Sequence, residues 1–277
     1  MRDNTAVCQR HIGFAVRLIN FAGPMLSKKK LMNHILDNPI WEGLNTGNKH
    51  FASGNESVKY FPPLVTTFAG FRNFREEEFQ SLYNMLPQGS VRATFIPVHI
   101  DVPAPWQLLP GLEIYQMIDN SLITQTGSGD LNDNHDKHDN DDRYDMDNMD
   151  EMIVKLTNKD VPDMMNLTRL TNPGPFNERT IEFGNFFGIF SGDQLVAMAG
   201  QRLQVHEYSE ISAVCTHPDH QGHGYARRLL LHQLKIIRGE GRKPMLHVKT
   251  DNKAAVFLYE SLGFEIRRKL EVVIFKK

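Results

Sequence analysis

A chain of 277 residues, 40% hydrophobic and 23% charged, has the composition of an ordinary globular protein and room for one large or two small domains. Formal charge is −2, but residues 130–150 hold nine Asp against Lys137 and Arg143, so the remainder carries a modest positive surplus. That surplus suits a small anionic ligand and lacks the concentrated basic stripe of a nucleic-acid binder. Two cysteines, Cys8 and Cys215, argue against a disulfide framework, and no apolar run approaches the ~20 residues that span a bilayer. A cytoplasmic protein without membrane contact is expected.

In chain order, Gly13–Leu26 only loosely mimics a signal peptide, because Arg17 and Asn20 interrupt it and Lys28–Lys30 follow rather than precede it. Met25-Leu-Ser-Lys reads as a second possible start, leaving residues 1–24 as an extension without structure. Residues 25–123 are expected to form a smaller N-terminal α/β region. Leu31–Leu36 and Glu76–Leu86 read as helices, Val91–Ile100 and Leu112–Ile118 as strands, with Pro97, Pro103, Pro105 and Pro110 punctuating the turns. Asn38-Pro-Ile-Trp41 and Phe61-Pro-Pro63 read as packing and turn elements. No glycine cradle, metal-spaced cluster or nucleophile signature occurs there.

Residues 124–151, rich in Asp, Asn, Gly and His, cannot bury enough surface to offset their ordering entropy and read as a disordered linker. Asp130, Asn132 and Asn134 have the spacing of a calcium loop. His135, however, stands where glycine is required, and Asp141 where a bidentate Glu belongs. No metal is expected.

From residue 152 the pattern is regular. Met152–Leu156 predicts a strand, Val161–Leu170 a helix, and Asn172-Pro-Gly-Pro175 a break. Gly188–Phe190 and Leu195–Gln204 flank Ser191-Gly192-Asp193, a hairpin turn signal. Glu210–Thr216 predicts a central strand and residues 224–238 a helix with Ala226, Leu230, Leu234 and Ile237 on one face. Met245–Thr250, Asn252–Leu262 and Phe264–Lys276 complete the order β-α-β-β-β-α-β-α-β.

The most informative stretch is Gln221-Gly-His-Gly-Tyr-Ala226, between a strand and a helix. Two glycines there let the backbone approach a ligand closely. The first amides of the following helix lack partners and sit at the positive end of its dipole, an arrangement suited to pyrophosphate. His223, Arg227 and Arg228 add positive or protonatable character. No Gly-Lys-Ser/Thr follows, so this is not a Walker A loop, and a third glycine of the dinucleotide fingerprint is missing.

Gln221-x-x-Gly224-x-Ala226, followed by Asn252-x-x-Ala255-x-x-x-Tyr259 and Gly263-Phe264, resembles the two signature segments of the GNAT superfamily of N-acetyltransferases. The resemblance covers about residues 153–277. It implies a mixed α+β acyl-CoA N-acyltransferase fold with a mostly antiparallel central sheet, and residues 152–277 as the acetyltransferase domain. Residues 25–123 resemble the degenerate copy that two-part members carry as their first half, and are expected to shape the acceptor pocket.

The resemblance also implies acetyl transfer from acetyl-CoA to a primary amine by direct attack. The backbone of Val214, Cys215 and Thr216 would pair with the pantetheine amides. Gln221, Gly222, His223, Gly224, Tyr225, Ala226 and Arg227 would hold the pyrophosphate, and Asn252 the cofactor arm unless it serves only to open its helix. Tyr259 would protonate the departing thiolate, the alternative being a core tyrosine. Glu210, eleven residues before Gln221, stands where some protein-acetylating members place a base. That matters because an amine of pKa ~10.4 is only about one part in 2,500 neutral at pH 7; the alternative is a hydrogen-bonded strand Glu. Cys215 has no neighbour in sequence to lower its pKa, and His217, His220 and His223 do not share a helix face, so neither a covalent intermediate nor a metal is expected. A catalytically silent acyl-CoA-binding module is the alternative function. The acceptor and the oligomeric state are not legible.

Overall fold

The computed structural model describes residues 32–119 and 153–277. The expected extension 1–24, the acidic linker with its calcium-spaced residues, Cys8, Leu31 and Met152 lie outside the described residues.

Among the described residues, the N-terminal part supplies helix α1 (Pro39–Asn45), strands β1 (Ser53–Gly54), β2 (Val58–Tyr60) and β3 (Ala69–Phe71), helix α2 (Glu76–Met85), and strands β4 (Val91–Ile96) and β5 (Gln107–Asp119). The C-terminal part supplies β6 (Val154–Lys155), α3 (Val161–Thr171), β7 (Phe187–Ser191), β8 (Gln194–Val205), β9 (Tyr208–Thr216), α4 (Tyr225–Gly239), β10 (Lys243–Lys249), α5 (Lys253–Glu260) and β11 (Phe264–Lys276).

Three expectations for the N-terminal part are corrected. Among the described residues of the helix expected over Leu31–Leu36, residues 32–34 are not helical, and a 3₁₀ turn at Ile35–Asp37 forms, capped by His34. Asn38-Pro-Ile-Trp41 is not a turn but the start of α1, with Pro39 at the first helical position, where its missing N–H costs nothing. Pro110 also lies inside β5 rather than at its edge. Leu112 faces Val272 and Leu109 faces Ile274, so Pro110 and Gly111 form a bulge opposite one residue of β11. Pairing of β5 with β10 runs only over Ile114–Ile118, so Pro110 leaves no ladder partner unpaired on that side.

β1, β2 and β3 form a small antiparallel sheet, while the other eight strands form one sheet in the order β4-β11-β5-β10-β9-β8-β7-β6. β5 thus lies between β10 and β11, antiparallel to both. The only parallel pair among the described strands of this sheet is β9 with β10. β8 is buried at nearly every position because helices cover both of its faces. On one face α4 inserts Leu229, Leu230, Leu234 and Ile237, each at most 2% exposed. Each such side chain contributes about 1.5–3 kcal/mol on burial. Arg238 near the end of α4 is bonded through Nε and Nη2 to Asp119 Oδ2, at 2.8 and 2.6 Å, tying the helix to the end of β5. None of the helices is long and apolar enough to cross a membrane, among the described residues.

Candidate active site

The site begins where the parallel pair fails. β9 and β10 are in register from Tyr208–Lys243 to Ile211–Leu246 and then part, so Ser212–Thr216 and His247–Lys249 are not paired to one another. A bulge on β9 drives the separation: Met198 faces Cys215 and Gly200 faces Ser212, so Ala213 and Val214 together oppose Ala199. Ala213 has a φ of 54°, a conformation that costs an L-residue of order 1–3 kcal/mol and persists where surrounding structure enforces it. The opening leads into a cavity of about 850 Å³.

Val214, Cys215, Thr216, Gln221, Asn252 and Tyr259 all line this cavity. Gly222, His223, Gly224, Tyr225, Ala226 and Arg227 do not; they form the turn and first helical residues beside its mouth. Gly222 and Gly224 have φ of 80° and 72°, and a Cβ built on either meets nothing within 4 Å. Backbone conformation therefore demands glycine here, and open space lies over the turn. α4 starts with no side-chain cap and no acidic residue in its first turn, leaving its leading amides available to an anion.

Tyr259 is 8% exposed, and burial pushes its phenol up to about 12, with the neighbouring Cys215 adding to the rise. The hydroxyl is therefore a proton donor at every physiological pH. Burial likewise pushes the Cys215 thiol up to about 11, which makes it a poor nucleophile. Asn252 caps α5, its side chain accepting from Ala255 N–H at 3.2 Å, while it also borders the cavity. His217 Nδ1 accepts from Asp219 N–H at 3.2 Å, and His223 Nδ1 faces the Gln221 carbonyl at 3.0 Å. His217 and His223 thus have local bonding roles.

Glu210 does not line the cavity and is 0% exposed. Arg202 donates to it through Nε at 2.9 Å and Nη2 at 2.6 Å, and Leu203 N–H donates at 3.1 Å. His247 Nδ1 is 2.7 Å from its Oε1. Burial opposes ionisation, yet Arg202 and His247 together hold the carboxyl well below the usual carboxylate range. The chain of bonds continues from His247 Nε2 to Gln116 Nε2 at 2.9 Å, then through Gln116 Oε1 to Arg267, which bonds Asp37 at 2.6 Å. Five strands and the Asp37 turn are joined in this buried line.

Arg202 and His247 were not singled out from sequence, though both face the cavity. A lone Arg inside the apolar run Leu195–Gln204 was the available signal: a buried charge in a strand demands a partner. The remaining wall, with Phe68, Phe95 and Ile114 among its members, comes from the N-terminal part and carries no local motif.

A mostly antiparallel sheet with one splayed parallel pair, and a glycine turn leading into a helix beside the splay, defines the acyl-CoA N-acyltransferase class of fold. Residues 186–273 match the family described as FR47-like protein. Over 98 residues the chain is 39% identical to the N-alpha-acetyltransferase RimI of Mycobacterium tuberculosis, covering 34% of this chain and 60% of that protein. Over 105 residues it is 32% identical to a mycothiol acetyltransferase of Streptomyces scabiei, covering 37% of this chain and 34% of that protein. The chain thus spans less than two thirds of either relative. A crystal structure from Novosphingobium aromaticivorans, described as a GNAT-family acetyltransferase, superposes with a TM-score of 0.74 at 28% identity, over 88% of this chain and 99% of that one. The chain is thus similar to GNAT-family acetyltransferases.

Proposed function

We propose that this protein transfers an acetyl group from acetyl-CoA to a primary amine by direct attack, in a cytoplasmic setting. The observation that carries the reading is the juxtaposition of the β9–β10 splay, the uncapped N-terminus of α4 and the buried Tyr259 around one cavity. The residues fit acetyl-CoA. The turn at Gly222 and Gly224 is open for a pyrophosphate, and Val214, Cys215 and Thr216 offer backbone groups on the unpaired edge of β9. When bound, acetyl-CoA supplies an activated thioester.

Tyr259 is the group we assign to the leaving sulfur, since its phenol keeps its proton across neutral pH. Glu210 we read as a positioning residue rather than as a base that meets the amine. Its oxygens are held by Arg202, Leu203 and His247, and the protonation it resists is the state a base must reach. The ammonium proton then leaves through water in the cavity mouth. Thiol release from acetyl-CoA, followed with a thiol reagent over a panel of amines, tests the proposal; release no faster with amines than without them contradicts it. Tight acetyl-CoA binding without turnover would favour the silent binding module.

A further inference from the structure

We infer that the acceptor is an amino-carboxylate on an apolar body, such as a hydrophobic amino acid, with Arg202 receiving the carboxylate. The inference rests on the acetyltransferase reading and specifies its acceptor. No Asp or Glu lines the cavity among the described residues, so nothing there would hold the extra ammonium groups of a polyamine. On the β10 side of the splay the wall is apolar, formed by Phe68, Ala93, Phe95, Leu112, Ile114 and Val272. Phe68, Phe95, Ala93, Ile114 and Val272 are each under 9% exposed, a packed surface that rewards an apolar side chain of similar bulk.

Within that wall Arg202 is the charged side chain, lying 4.8 Å from the centre of the Phe68 ring. Its Nε and Nη2 hold Glu210, while its Nη1 has no partner among the described residues. The Arg202 side chain is 10% exposed and borders the cavity, so a guanidinium nitrogen oriented by a buried carboxylate is left to donate into an apolar site. Exposed Lys249 adds a second positive charge on the rim. An apolar surround disfavours an ammonium ion by desolvation. The wall that accepts an apolar side chain therefore also favours the neutral, nucleophilic amine, which a site without a free base needs.

The test uses the full chain. Acetyl-CoA binding is first measured by calorimetry, then kcat/KM for L-phenylalanine, L-leucine and L-methionine, for phenethylamine, which lacks the carboxylate, and for spermidine. We expect L-phenylalanine to exceed phenethylamine by about tenfold or more, the scale of one hydrogen bond to a charged group, with spermidine poorest. Arg202→Lys should lower kcat/KM for L-phenylalanine by about tenfold more than it lowers that for phenethylamine, collapsing the preference; the wild-type comparison stands even if this variant does not fold. Phenethylamine or spermidine matching or exceeding phenylalanine overturns the inference, as does turnover of none of the three amino acids. Failure of acetyl-CoA itself to bind would instead overturn the acetyltransferase reading.

Discussion

Gln116 Nε2 donates to His247 Nε2 at 2.9 Å, and this bond determines which nitrogen of the imidazole carries the proton. The amide is oriented from its other end: Arg267 Nε, which can only donate, takes Gln116 Oε1, and Gln116 Nε2 also donates to the Leu36 carbonyl at 2.9 Å. His247 Nε2 is therefore the acceptor and Nδ1–H the donor toward Glu210. Four donors converge on one buried carboxylate, which locks Arg202 against the cavity wall.

Glu210→Gln should destabilise the fold by about 3–5 kcal/mol in urea unfolding, because it leaves Arg202 buried without its charge partner. The pH dependence follows from the sign. Glu210 is depressed in the folded state, so its contribution is full above the unfolded carboxyl pKa of ~4.3 and is lost as pH falls below it. The stability gap between wild type and variant should be flat from pH 5 to 8 and should narrow below about pH 4. A gap that narrows on the alkaline side would contradict this account.

Gln116→Leu should lower the melting temperature while leaving acetyl-CoA affinity unchanged. It strips a partner from His247 and from Arg267, each worth roughly 1–3 kcal/mol when buried, but leaves the β9 edge and α4 intact. Calorimetry alongside thermal melts separates the two effects.

Tyr259→Phe keeps the ring that packs at 6.2 Å from Phe264 and removes only the hydroxyl. We expect the fold and acetyl-CoA affinity to survive while kcat falls by roughly 10²–10⁴, the range of a lost general acid. Unchanged kcat in steady-state assays would remove Tyr259 from the reaction.

The pH–rate profile gives an independent check. With the phenol held up to about 12, no falling limb from Tyr259 should appear below pH 10, so kcat/KM should rise with amine deprotonation and level off. Tyr259→Phe should lower this curve without changing its shape.

Much of the C-terminal half is legible because its elements announce themselves locally. β11 matches Phe264–Lys276 at both ends, α3 ends one residue beyond its expected limit, and the glycine turn lies directly before α4. The site was legible only as far as its motifs reach. Tyr259, Asn252 and Gln221 line one cavity with the Val214–Thr216 edge. What local sequence could not reveal is long-range pairing. Insertion of β5 between β10 and β11 brings Gln116 to His247, 131 residues away, and no pattern within β5 encodes its neighbours. Glu210 shows the same limit. Its spacing from Gln221 matches a base, but its bonding depends on Arg202 across a hairpin and His247 on a strand 37 residues later.

Acetyl-CoA is expected to enter the splay with its pyrophosphate over the turn before α4. Isothermal titration of acetyl-CoA into wild type and Gly224→Glu decides this. At a φ of 72° the variant backbone is strained, and its carboxylate occupies the open space that the anion needs. Saturable binding by wild type and its loss in a Gly224→Glu variant that retains the wild-type circular dichroism spectrum is the predicted result. Equal affinity in the two proteins would contradict the account.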